Sequence, residues 1–119
     1  MNLGIGIDLI GIDRMRSRLL RRPGLAERLF TARERATAEA RLEPAEFYAG
    51  RFAAKEAAFK ALGSGWPECS WSDVEVLPGP AGSPQLRFVG RAAALLADRG
   101  AAVSIAHSDG IAVANVIIS

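Results

Sequence analysis

The stretch from Pro44 to Gly63 constrains the fold most. Pro44 suits the first turn of a helix, where its missing N–H costs nothing, and Gly63 suits the stop. Between them Phe47, Tyr48, Phe52, Phe59 and Leu62 keep the spacings of one buried stripe, so this segment reads as the central core helix. A chain of 119 residues with 50% hydrophobic residues fits one domain and supplies material for a packed core. The expectation is one compact α+β domain over residues 1–119.

Leu3, Ile5, Ile7 and Leu9 alternate with Gly4, Gly6 and Asp8, a period-two strand with one apolar face. Its other face carries two glycines leading to a carboxylate. Glycine weakens a strand, and its usual reason is a backbone or ligand that must approach closely, so Asp8 is expected at the end of an open face. Val74–Leu77, Gln85–Val89, Ala102–His107 and Ile111–Ile118 read as further strands. A Gly/Pro turn from Pro78 to Pro84 joins the first two, and the hairpin turn Ser108-Asp109-Gly110 joins the last two. Asp13 can cap a helix that starts near Arg14 and runs to about Arg22, before Pro23-Gly24 interrupts it. A short helix over Leu25–Leu29 follows. Thr31-Ala32-Arg33-Glu34 has capping-box spacing and opens a helix to about Leu42. An alanine-rich helix over Arg91–Arg99 is stopped by Gly100.

Several function classes fall away. Cys69 is the only cysteine and His107 the only histidine, which excludes an internal disulfide and a zinc site of Cys and His ligands. Any metal must be oxygen-bound. No segment approaches the roughly 18 apolar residues of a membrane span, and residues 1–4 run into the strand pattern without a signal region. A soluble, cytoplasmic protein with no membrane partner is expected. His107-Ser108-Asp109 holds the residue types of a hydrolase triad, but neighbours on a strand end cannot adopt its geometry. Gly4-Ile5-Gly6 is no dinucleotide fingerprint, because Leu9 occupies the third glycine position. Arg14, Arg16, Arg18, Arg21, Arg22 and Arg28 face only Glu27 among acidic residues between positions 14 and 28, which points to an acidic partner.

On a helix, Glu56 and Lys60 fall roughly 40° and 80° round from Phe52, flanking the buried stripe, while Arg51 and Lys55 border its other side. Glu56 and Lys60 taken alone read first as a surface pair in the favourable i,i+4 order. Asp8, Glu56, Lys60, Arg51 and the glycine-bearing helix end Gly63-Ser64-Gly65 together offer hard oxygen ligands, cations and free backbone amides, the parts that phosphate chemistry requires. Two carboxylates with phosphate oxygens and water suit Mg²⁺. His107 and Ser108, at a strand-to-turn boundary, can hold a phosphate or serve as ordinary structural residues.

Three ordered motifs carry a resemblance over nearly the whole length. They are Gly4-Ile5-Gly6-Ile7-Asp8-Leu9-Ile10, then Gly50-Arg51-Phe52-Ala53-Ala54-Lys55-Glu56-Ala57-Ala58-Phe59-Lys60-Ala61-Leu62-Gly63, then Val103-Ser104-Ile105-Ala106-His107-Ser108. The chain resembles the holo-acyl-carrier-protein synthase family, the short single-domain branch of the 4'-phosphopantetheinyl transferases. Ala106 departs from it, standing where serine or threonine is frequent, and Ser64 occupies a variable position.

The resemblance implies a mainly antiparallel sheet wrapped against the long central helix. It implies that Asp8 and Glu56 hold Mg²⁺ on the pyrophosphate of coenzyme A, with Lys60 as charge stabiliser and candidate proton acceptor. Arg51, His107 and Ser108 match positions that bind the 3′-phosphate, Lys55 joins the CoA-binding set, and Gly63, Ser64, Gly65 and Pro84 border the nucleotide. An acidic acyl carrier protein is expected on the first helix region, against Arg14, Arg21 and Arg28 with Met15 and Leu25 as apolar contacts. The resemblance further implies a homotrimer with sites between subunits, a role in fatty acid biosynthesis and lipid metabolism, and no nucleic-acid partner. In that reaction the carrier serine hydroxyl attacks the pantetheine-side phosphorus and adenosine 3′,5′-bisphosphate leaves, with Lys60, Glu56 or metal-bound water as the base. The rival reading is a non-catalytic basic module that binds an acidic protein or RNA through the arginine stretch.

Overall fold

Strand β1 (Gly4–Gly11) lies directly along helix α4 (Pro44–Leu62), and this contact organises the rest of the computed structural model, which describes residues 3–63 and 68–119. A Cβ at Gly4 would stand 2.1 Å from the carbonyl oxygen of Ala61, and one at Gly6 would stand 1.9 Å from that of Ala57. No side chain fits there, so strand and helix touch backbone to backbone. The helix answers with Ala57, Ala58 and Ala61, all buried.

β5 (Ile111–Ile118) pairs antiparallel with β1, from Gly4 opposite Ile118 to Gly11 opposite Ile111. β4 (Ala101–Ser108) pairs with the other edge of β5, giving the order β1-β5-β4. Ala112, Ala114, Val116 and Ile118 of β5 are buried on the helix side. β2 (Val74–Pro78) and β3 (Pro84–Phe88) form a separate antiparallel pair. The observed α+β architecture is the one expected, with one inversion. The glycine face of β1 is covered by α4, whereas Ile5, Ile7 and Leu9 are 61%, 57% and 66% exposed. Alternation defines two faces, and the close approach at the glycines decides which turns inward.

α4 is buried nearly all round, beyond the single stripe expected, because other helices cover what the sheet leaves. Those are α1 (Ile12–Arg21), α2 (Leu25–Leu29) and α3 (Ala32–Glu39). They contribute Ile12, Met15, Leu29, Phe30 and Ala38 to a cluster with Phe47 and Tyr48, where the Phe30 and Tyr48 rings lie 4.7 Å apart. Gly11, not Asp13, precedes α1. The Ile12 N–H donates to Gly110 O at 2.8 Å, so strand passes to helix with no residue to spare, and Asp13 sits in the first turn paired with Arg16. The Thr31 and Glu34 capping box forms with both of its hydrogen bonds. α3 ends before Leu42, and α5 (Gly90–Leu96) ends before Arg99, whose guanidinium donates back to the carbonyls of Leu95 and Leu96. Among the described residues no helix is long and apolar enough to cross a membrane.

Candidate functional site

The inner face of β1 runs Gly4, Gly6, Asp8, so the strand that needs glycine against α4 next presents a carboxylate to the same helix. Lys60 Nζ donates to Asp8 Oδ1 and to Ile7 O, each at 2.9 Å. The Asp8 side chain is only 12% exposed, and its buried Oδ2 has no hydrogen-bond partner among the described residues. Glu56, one turn before Lys60, is pushed up to about 7, first by burial and then by its hydrogen bond to Asp8 and the charge of Asp8. Lys60 and Arg18 work against that rise. A proton or a cation relieves such a pair.

These donors fit a hard divalent cation. Two carboxylates converge, one carries an orphaned oxygen, and the Lys60 ammonium is taken up by Asp8 Oδ1 and the Ile7 carbonyl. Among the described residues no cluster of three or more His, Cys, Asp and Glu offers a fuller ligand set. A hard cation held there would need further oxygen ligands from outside these two side chains, as Mg²⁺ commonly does. Glu56 and Lys60 face a cavity of about 350 Å³ that Phe59 and Trp71 also line among the described residues.

A second cavity, of about 470 Å³, opens beside the first half of α4, with Arg41, Glu46, Phe47, Arg51 and His107 in its lining. The Arg51 guanidinium lies 3.8 Å from the Phe47 ring centre and that of Arg41 lies 4.7 Å from it. Burial first, and then the charge of Arg41, lower the Arg51 pKa to about 10, and its buried Nε has no partner among the described residues. Two guanidiniums and an unused donor in one hollow suit an anion. His107 Nε2 stands 3.3 Å from Glu46 Oε1. Arg41 is a residue that sequence reasoning missed: it lies in the connection between α3 and α4, where no periodicity places a side chain. Arg51 falls roughly 140° round α4 from Glu56, so the expected phosphate-handling residues divide between two faces of one helix.

Other expected residues lie elsewhere. Lys55, expected to contact CoA, is fully buried and paired with Glu34 at 2.9 Å, because Glu34 and two carbonyls take all its donors. Burial lowers its pKa against the opposing pull of Glu34. Met15, expected at a protein contact, is 4% exposed in the core, where the apolar face of α1 meets Phe30 and Tyr48. Leu25 is partly buried against the same cluster, while Arg14, Arg21 and Arg28 are exposed. Gly63 ends α4 in the left-handed conformation with φ 86°. Ser64 and Gly65 lie outside the described residues. Pro84 opens β3 opposite Pro78, and Ser108 is exposed at the end of β4.

This fold and this donor set define a class: small α+β proteins in which a sheet strand and a central helix bring two carboxylates and an ammonium together beside a cleft. More particularly, the chain belongs to the 4'-phosphopantetheinyl transferase superfamily, whose ACPS family model matches residues 4–113. It is 48% identical over 121 residues to the holo-[acyl-carrier-protein] synthase of Desulforudis audaxviator, covering 98% of this chain and 92% of that one. It is 45% identical over 118 residues to the enzyme of the same name from Frankia casuarinae, covering 97% and 95%. Among solved structures it resembles the Chronobacterium ammoniagenes ACPS-CoA complex, with a TM-score of 0.89, 30% identity and coverage of 99% and 97%. It also resembles the Bacillus anthracis holo-(acyl-carrier-protein) synthase in complex with CoA (3',5'-ADP), with a TM-score of 0.82, 38% identity and coverage of 97% and 94%.

Proposed function

We propose that this chain is a holo-[acyl-carrier-protein] synthase, transferring the 4'-phosphopantetheine moiety of coenzyme A to a serine of an apo acyl carrier protein and releasing adenosine 3′,5′-bisphosphate. The observation that carries this reading is the convergence of Asp8, Glu56 and Lys60 at one cleft in a chain of this family.

Asp8 and Glu56 are the residues that would hold Mg²⁺, which when bound would supply charge neutralisation to the pyrophosphate. Lys60 brings a further positive charge to the same cleft, where charge develops on the leaving oxygen. Arg41, Arg51 and His107, in the second cavity, suit the 3′-phosphate of the nucleotide, and Ser108 adds a hydroxyl at its edge. The serine O–P bond forms as the pyrophosphate P–O bond breaks, and the proton of the hydroxyl passes to a base in the cleft.

The exposed outer sheet face supports assembly into a homotrimer. Leu3, Ile5, Ile7, Leu9, Ile111 and Ile117 are 43% to 66% exposed there, an apolar area that a monomer rarely presents to water. In the trimer the carboxylate cavity of one subunit works with the arginine cavity of a neighbour, which accounts for their placement on different faces of α4. Exposed Arg14, Arg21 and Arg28 receive the acidic carrier, and the reaction takes place in the cytoplasm as one domain's work.

The test is intact-mass measurement of an apo carrier incubated with this protein, CoA and Mg²⁺. A gain of one phosphopantetheine per carrier is expected. No gain across a panel of fatty-acid and polyketide carriers would sink the reading and return the arginine surface to a non-catalytic binding role.

A further inference from the structure

One cation of α4 has no place in the chemistry above. Lys55 Nζ has three donors, and all three are used: Glu34 Oε1 at 2.9 Å, Trp71 O at 3.0 Å and Val74 O at 2.6 Å. Glu34 is equally occupied, since Oε1 also accepts from the Thr31 N–H at 2.8 Å and Oε2 accepts from the Val76 N–H at 2.7 Å. Lys55 is 0% and Glu34 2% exposed. An apolar pair of similar volume generally stabilises a fold as well as a buried ion pair does. What an apolar pair cannot do is grip chosen backbone carbonyls.

The two carbonyls that Lys55 grips bracket a short 3₁₀ turn, Trp71–Asp73. The Trp71 ring packs 4.9 Å from Phe52 and 5.4 Å from Phe59, and it walls the cavity that Glu56 and Lys60 face. The far end of the turn is held separately, by Ser70 Oγ donating to Asp73 Oδ1 at 3.0 Å and by the Val89 N–H donating to Asp73 O at 2.9 Å. Lys55 is the residue next to Glu56, so one rigid helix carries both the carboxylate and the tether of the wall facing it.

We infer, resting on the transferase reading, that Lys55 is a positioning residue: it fixes the Trp71 wall relative to Glu56 and Lys60, and so sets the width of the cleft that receives the pantetheine-bearing phosphate of CoA. Lys55 does not touch the substrate. It acts through the Trp71 and Val74 carbonyls, and Glu34 keeps its charge in place.

The experiment compares Lys55→Met/Glu34→Gln with Glu34→Gln alone, both in a Trp66→Phe background that leaves Trp71 as the single tryptophan. Glu34→Gln disturbs the ion pair and leaves the carbonyl grips, whereas the double variant removes the grips and leaves no buried charge unpaired. The expected result is a KM for CoA raised about tenfold in the double variant, with the carrier KM within about twofold of wild type. Acrylamide quenching of Trp71 rises with it, and Glu34→Gln shifts neither readout comparably. If the Met variant does not fold, Lys55→Leu/Glu34→Gln, which also lacks a donor, is read in the same two ways. A folded double variant that matches Glu34→Gln in both CoA KM and quenching overturns the inference and leaves Lys55 purely structural. Quenching needs no turnover, so this failure is distinct from that of the transferase reading, which shows as a wild-type protein unable to modify any carrier.

Discussion

The two faces of the three-stranded sheet are made from the same strands and follow opposite rules. Toward α4, β1 offers Gly4, Gly6 and Asp8, while β5 offers Ala112, Ala114, Val116 and Ile118, and the spacing is so tight that backbone meets backbone. Away from α4, Ile5 stands opposite Ile117 and Leu9 opposite Val113, a branched apolar surface turned to solvent. Along the glycine half of β1 the small residues take the packed face and the large ones the free face, the reverse of what hydrophobicity alone prescribes, whereas β5 buries Val116 and Ile118 in the ordinary way. Steric room ranks ahead of hydrophobicity where a helix must seat against the strand, and the large residues are then available to a second copy of the chain.

The inner face breaks most severely. Gly6→Val places atoms where Ala57 O already stands, and overpacking of this kind costs at least about 3 kcal/mol, which in a domain of this size lowers Tm by roughly 10 °C or more. Thermal denaturation followed by circular dichroism checks it, and an unchanged Tm would show that α4 lifts freely off the strand. Asp8→Asn or Glu56→Gln, at the end of the same face, leaves the fold intact and lowers turnover by roughly 10²- to 10³-fold, as expected when charge stabilisation is removed from a transferring phosphoryl group. Retention of wild-type Mg²⁺ dependence in Glu56→Gln counts against that ligand.

On the outer face, if the proposed trimer forms there, Ile7→Glu keeps the monomer's circular dichroism and moves the sedimentation coefficient from trimer to monomer, because three like charges cannot share a buried interface. A trimer that survives Ile7→Glu removes the distinction drawn between the faces. Arg14→Glu, off the sheet altogether, raises the carrier KM several-fold with kcat nearly constant, in line with lost steering of an acidic partner. Last comes a pH effect of a few degrees. Glu56 ionises near pH 4.5 when unfolded and near 7 in the metal-free fold, so the folded state keeps a proton that the unfolded chain gives up. Metal-free Tm therefore falls as pH rises from about 4.5 to about 7 and then levels, while Mg²⁺ raises Tm more at pH 8 than at pH 5. An equal Mg²⁺ effect at both pH values would place the cation elsewhere.

What could be read in advance divides along the range of the interactions involved. α4 was legible at both ends because Pro44 and Gly63 act within one helical turn. The Thr31 and Glu34 box and the Asp109-Gly110 turn, with φ of 52° and 79°, are equally local. Asp8, Glu56 and Lys60 were legible as a phosphate-type set from residue chemistry and motif, and the fold brings the three together. The orientation of β1 was not, since alternation is symmetric and the deciding contacts come from Ala57 and Ala61. Nor was the burial of Lys55: helical geometry puts it at the border of the stripe, and its counter-charge lies in α3, across chain that periodicity does not connect. Arg41 joins Arg51 only through the ring of Phe47, a contact no spacing announces.

The pairing of β1 with β5 has a consequence in time. Among the described residues β1 has a single strand neighbour, and Gly4 meets Ile118 only when β5 is in place, more than a hundred residues later in the chain. During synthesis the strand that carries Asp8 waits, with its hydrogen-bonding edge and its apolar face both unmatched, until β5 emerges. Closure of so long a loop is slow compared with helix formation. The helices around α4 can therefore gather first, and Asp8 is among the last groups to reach its place, exposed to chaperones and to misassociation for as long as its partner strand is missing.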